Sequence, residues 1–194
     1  MKKKFIRTNL STWFALLFIS IFMCGCASVH DIQTHNALDN SLQIGSARVE
    51  MNVKGGNWQG LTSEFNFDQP QGDRFEMTMG SQNFDKKWAP TQALCIGDKL
   101  SEERVCINFH ALTTAEKDQL AMSETVFDAA GELLERIAIP RYFKVGDKVE
   151  VEVSVKKGNL YFKINDNEAI SHPLNFIPMT IRFGCSSVRC QFKY

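Results

Sequence analysis

Glu64-Phe65-Asn66-Phe67-Asp68 is the segment whose residue types and spacing come nearest to acid–base chemistry. In an extended strand alternate residues share a face, so Glu64, Asn66 and Asp68 would line up together. Retaining glycoside hydrolysis needs two carboxyl groups about 5–5.5 Å apart, one as nucleophile and one as acid. Here the central position is an amide, and Pro70 and Gly72 close the segment as a turn. The acid set is incomplete, and the pattern fits the wet face of an amphipathic strand. His110 and His172 have no serine elbow or cysteine partner at a recognisable spacing, so both are expected on the surface. His30 and His35 lie five apart without a Cys, Asp or Glu completing a ligand set. Asp166, Asn167 and Glu168 lack a calcium-loop ladder and are expected to form a hairpin turn.

Two tryptophans have a different potential. Trp58 lies in Gly56-Asn57-Trp58-Gln59-Gly60, and Trp88 in Lys86-Lys87-Trp88-Ala89-Pro90. An aromatic ring among polar loop neighbours can stack on a sugar ring, so both are candidate ligand-binding residues, with core packing as the alternative. No cofactor motif and no metal-ligand set accompanies them.

The N-terminus identifies a targeting segment. Met1 to Arg7 is basic, and an apolar stretch of 11 residues, Trp13 to Met23, follows. That length suits the apolar region of a secretory signal, about 7–15 residues. A membrane-spanning helix needs about 20. The stretch ends in Met23-Cys24-Gly25-Cys26-Ala27-Ser28, which resembles the lipobox of bacterial lipoproteins. The resemblance implies cleavage after Gly25 and lipidation of Cys26, with a diacylglyceryl group on the thiol and usually an acyl chain such as palmitate on the freed amine. Several acyl chains anchor firmly, where one binds only marginally. Ala27 and Ser28 lack the Asp that marks inner-membrane retention in many enteric lipoproteins, so the resemblance implies the cell envelope, at the outer membrane.

Cleavage changes the charge. The chain of 194 residues has 22 basic and 22 acidic residues. Removing Lys2, Lys3, Lys4 and Arg7 leaves 18 basic residues against 22 acidic ones, a net of −4. That sign lacks the basic footprint of a nucleic-acid binder. The membrane contact is expected to come from the lipid rather than from electrostatics. Residues 26–44 are polar with neither a 3.6 nor a 2 period and form the expected lipidated tether. Residues 45–194 are long enough for one domain with its own core.

Of the six cysteines, Cys24 leaves with the signal and Cys26 takes the lipid, so four remain in an oxidising compartment. Three pairings are possible. The local one is expected, Cys95 with Cys106 and Cys185 with Cys190, because each pair brackets a turn-like segment. Ser186-Ser187-Val188-Arg189 is the expected hairpin loop of the second pair. A four-cysteine zinc site would need closer spacing than Cys95 and Cys106 have.

The elements that position these residues are strands. Val149, Val151, Val153 and Val155 alternate with polar residues, as do Phe75, Met77 and Met79, Val105, Ile107 and Phe109, Leu160, Phe162 and Ile164, and Phe65 and Phe67. Period-2 alternation marks strands with one buried and one wet face. Turn residues separate them at Lys54–Asn57, Gln69–Asp73, Val145–Asp147, Lys156–Asn159 and Asn165–Asn167. Thr113-Thr114-Ala115-Glu116 has the form of a capping box, which predicts a short helical turn near 114–121. Phe127 to Leu133 is expected to be a hairpin turn between two strands.

The run Phe143 to Asn167 and the late strands Met179–Cys185 and Val188–Phe192 resemble the closing strands of concanavalin A-like, laminin-G-like jelly rolls. The resemblance implies an all-β, antiparallel two-sheet jelly-roll sandwich. An enzyme branch of that fold carries Glu-x-Asp-x-Glu on one strand, and Glu64 to Asp68 departs from it at the second and third acids. The expected function is therefore a lipid-anchored, non-catalytic binding module for a glycan or an envelope protein. The alternatives are a glycoside hydrolase with a degenerate acidic strand, or a structural envelope lipoprotein without a small ligand.

Overall fold

The computed structural model describes residues 48–67, 72–82, 89–111 and 118–194. Within them lie twelve strands. In chain order they are β1 (Arg48–Asn52), β2 (Trp58–Glu64), β3 (Asp73–Gln82), β4 (Thr91–Gly97), β5 (Arg104–Ala111) and β6 (Gln119–Phe127). The second half contains β7 (Leu133–Lys144), β8 (Lys148–Lys156), β9 (Asn159–Ile164), β10 (Ile170–Pro173), β11 (Thr180–Ser186) and β12 (Val188–Lys193).

The strands form two antiparallel six-stranded sheets, one in the order β1-β12-β3-β8-β9-β10 and the other β2-β11-β4-β5-β6-β7. The expected jelly-roll sandwich is thus the fold. Alternation explains why these segments pair face to face. Phe75, Met77, Met79, Val149, Val151, Val153, Leu160, Phe162, Ile164 and Phe192 of the first sheet meet Leu94, Ile96, Val105, Ile107, Phe109, Met122, Ile181 and Phe183 of the second in one core. Phe183 touches both Phe192 and Phe75 across the gap, with ring centroids 4.8 and 6.0 Å apart. Each buried aromatic or aliphatic side chain contributes on the order of 1.5–3 kcal/mol by leaving water.

Three expectations need correction. The residues expected at the helical turn divide: 114–117 lie outside the described residues, Asp118 is a turn residue, and β6 starts at Gln119. Leu120 and Met122 point inward and Ala121 and Ser123 outward, the period of a strand, and β5 and β7 flank the segment on both sides. β2 ends at Glu64, so Phe65 and Phe67 are not strand residues; their rings turn onto each other, and Phe65 also meets Phe75 and Tyr194. Finally, Ser186–Arg189 is a corner rather than a hairpin loop, because β11 belongs to the second sheet and β12 to the first. Ser187 turns it in a left-handed conformation (φ 53°) and is pinned there. Its Oγ accepts from Gly56 N at 2.9 Å and its N–H donates to Asn57 O at 3.2 Å.

The turn expected from Phe127 to Leu133 does join two strands, β6 and β7. Asp128 closes it, its carboxylate accepting from Ala130 N at 2.9 Å and Glu132 N at 2.8 Å.

Candidate functional site

Both local disulfides form, Cys95–Cys106 between the adjacent strands β4 and β5, and Cys185–Cys190 across the corner from one sheet to the other. Beside the second bond, buried Gln92 of β4 donates to Gln191 O of β12 at 2.9 Å, a further inter-sheet tie.

The first disulfide lies on the outer face of the second sheet, and register shows what surrounds it. Reading across β2, β11, β4, β5, β6 and β7, one row of paired residues is Thr62, Arg182, Cys95, Cys106, Thr125 and Arg136. The next is Gly60, Gly184, Ala93, Asn108, Ser123 and Ala138. The third is Trp58, Ser186, Thr91, His110, Ala121 and Tyr142. Paired residues share a face, so the middle of this face is a lane of small side chains. Ala93, Cys95, Cys106, Ser123, Thr125 and Ser186 are all buried. Larger groups rise at the sides, with Trp58 and Arg182 towards one edge and Arg136 and Tyr142 towards the other.

Trp58 is the expected binding residue that the structure places here. It opens β2, is half-buried, and packs on the small cluster of Ala93, Cys95 and Cys106 instead of in the core. Gly184 makes its seat: a β-carbon there would overlap the Cη2 and Cζ2 atoms of the indole. Trp88 and Cys26 lie outside the described residues. Asp68 does too, and Glu64 pairs with Lys99 at 2.7 Å at the end of β2. β2 stops at Glu64, so Asn66 does not continue its strand face.

The histidines correct the surface expectation in two ways. His110 is a half-buried residue of β5 on the lane, and burial, then the Arg136 cation, hold its pKa below the usual 6.5. It is neutral at pH 7 and offers an acceptor nitrogen. His172 lies in β10 and points inward, to Glu124 of β6.

The polar groups of the lane are unevenly satisfied. Asn108 donates through Nδ2 to Thr125 Oγ1 at 2.9 Å and to Ser123 O at 3.4 Å. Arg104 lies over the Phe127 ring, 4.0 Å from its centroid, and meets Glu102 at 3.1 Å. Ser123 Oγ, Ser186 Oγ and Arg182 Nε, in contrast, are buried without a hydrogen-bond partner among the described residues. Sequence reasoning missed Arg182, Arg136, Asn108 and the two serines. The alternation Thr180, Arg182, Gly184 against Ile181, Phe183, Cys185 marks an outward polar row on β11, but only the pairing register gathers the five residues.

No protein-family model and no curated protein matches the chain. Solved structures with a similar fold include the carbohydrate binding module CBM66 from Bacillus subtilis, at 11% identity, 77% coverage of this chain, 89% of that one and a TM-score of 0.45. Toad ovary galectin in complex with thio-digalactose gives 15%, 76%, 99% and 0.40. CG-16, a homodimeric agglutinin from chicken liver, gives 15%, 69%, 99% and 0.44. All three lie below 25% identity and below a TM-score of 0.5, a likeness of fold alone.

Proposed function

We propose that this protein is a lipid-anchored, non-catalytic binding module of the bacterial cell envelope that holds a glycan on the outer face of its second sheet. The observation that carries the proposal is the set of unsatisfied polar atoms on that face. Each buried polar group without a partner costs about 1–3 kcal/mol, and native proteins keep few of them. Ser123 Oγ, Ser186 Oγ and Arg182 Nε share one face with Asn108, His110 and a half-buried indole. Hydroxyl-rich ligands both donate and accept, so a glycan matches this mixture, and its apolar ring face suits Trp58. The paired strands and the Cys95–Cys106 bond supply rigidity that lowers the ordering cost of binding. The lipobox-like segment supports the anchor and Cys26 as its lipidated residue.

The test is a glycan array probed with the full mature protein in detergent micelles, disulfides intact. Binding to a glycan class that Trp58→Ala weakens about tenfold is the expected result. A blank array from folded protein would overturn the glycan reading and leave an envelope protein as the partner. Palmitate labelling that disappears in Cys26→Ala checks the anchor separately.

A further inference from the structure

The mature chain has a net charge of −4, yet the outer face of the second sheet points the other way. Arg104, Arg136 and Arg182 all project from it, and Arg182 and Arg136 occupy the same row on either side of the disulfide. Four strand steps separate them, roughly 19 Å of backbone. One carboxylate, Glu102, serves two of the three: it is 3.1 Å from Arg104 and 3.8 Å from Arg182. Arg136 is exposed and has no ion pair among the described residues. The face therefore has more cation than its own acids neutralise.

The side chains packed over Gly60 show which ligand chemistry suits the excess charge. A β-carbon at Gly60 would meet Arg182 Nε at 3.2 Å, Arg182 Nη2 at 3.5 Å and Trp58 Nε1 at 3.5 Å. All three atoms are donors, and neither guanidinium nor indole can accept. Arg182 Nε has no hydrogen-bond partner among the described residues. A neutral hydroxyl brings a proton of its own to such a cluster. An oxyanion brings only acceptors, and guanidinium binds carboxylate or phosphate oxygens through short, charge-assisted bonds.

We infer that the ligand of this face is an acidic glycan, one whose carboxylate or phosphate oxygens occupy the donor cluster of Trp58 and Arg182. The inference rests on the glycan reading above and adds the ligand's charge. Arg136 at the far side of the lane takes a second acidic group or steers the polymer in. His110 stays neutral between them and does not add to the repulsion that a fully cationic lane would suffer.

The experiment compares matched probes on the full mature protein in micelles: polygalacturonate, its methyl ester, phosphorylated and dephosphorylated lipopolysaccharide oligosaccharide, and neutral dextran. Binding is expected to an acid form over its neutral counterpart by roughly tenfold or more. That binding should weaken in 0.5 M salt and fall about tenfold in Arg182→Gln and in Arg136→Gln. Arg182→Lys keeps the charge but loses the fork, so it controls for folding and should sit between wild type and Arg182→Gln. The polygalacturonate and lipopolysaccharide arms separate a carboxylate ligand from a phosphate one. Equal binding of the acid and neutral forms overturns the inference and leaves the glycan module standing. Binding of no polymer by folded, oxidised protein overturns both.

Discussion

Glu124 and His172 reach each other between the two sheets, Oε1 2.8 Å from Nδ1. Glu124 is almost wholly buried, and its side chain comes from β6 of one sheet while His172 comes from β10 of the other. Burial pushes the Glu124 pKa above its ordinary 4.5, the charge and hydrogen bond of His172 pull it back, and Glu135 adds a further push upward. A carboxyl whose folded pKa is raised contributes stability that is fully present below pH 4.5 and is lost as pH rises through the folded value. Relative to Glu124→Gln, wild-type stability should therefore fall as pH rises across that window and level off above it. Urea unfolding across the acid range measures this. His172→Ala removes the hydrogen-bond partner of this buried carboxyl and should cost about 1–3 kcal/mol.

His110 and Arg136 form a second titrating relationship, on the outer face. Burial and then the guanidinium lower the His110 pKa. Arg136→Gln removes the cation and should raise the midpoint of His110 in an NMR titration. Because the folded pKa lies below the unfolded one, His110 contributes stability that is present above pH 6.5 and is lost as pH falls from there through the folded value. The variant should lose less of it.

Gly184→Ala tests the seat of the indole. The added β-carbon collides with the ring, and forced repacking costs about 1–3 kcal/mol. Trp58 must move off the sheet, so the tryptophan emission should shift to longer wavelength and ligand binding should fall with it. An unchanged spectrum and unchanged binding would place the stacking surface elsewhere.

The Cys95–Cys106 bond closes a short loop, with a sequence separation of 11. The chain-entropy account gives about 2–3 kcal/mol for a bond of this kind. Cys95→Ala combined with Cys106→Ala should lower the urea midpoint accordingly. Because the pair stands between Arg182 and Arg136 in one row, the double variant should also weaken ligand binding, which calorimetry on the same samples can read.

The strands with regular alternation were legible in the sequence. Val149 to Val155 and Leu160 to Ile164 became β8 and β9, since each inward side chain has a hydrophobic partner to meet. Both disulfides were legible too, from turn-like spacing and an oxidising destination. The corner at Ser187 was not, because four residues between two cysteines look alike whether the strands pair with each other or part into separate sheets. Nor was the lane. Its floor is built from Gly60, Gly184, Ala93, Ser123 and Ala138, which come from five different strands. Small residues spaced that far apart carry no local signal. His172 was misjudged because Pro173 beside it suggested a turn, whereas β10 is an edge strand, where proline is tolerated.

The corner at Ser187 also has a mechanical consequence. β1 begins at Arg48, and among the described residues its ladder is with β12. Arg182, the proposed ligand contact, lies on β11, in the opposite sheet. A load applied at Arg48 and resisted at the lane is carried from β1 to β12 and then round the corner into β11. The peptide chain already joins β12 to β11 through Ser187, and Cys185–Cys190 ties the two strands a second time, so the corner cannot open while the bond is intact. A pull on β1 is therefore resisted first by its ladder with β12, a step held by hydrogen bonds, and the corner beyond it holds longer.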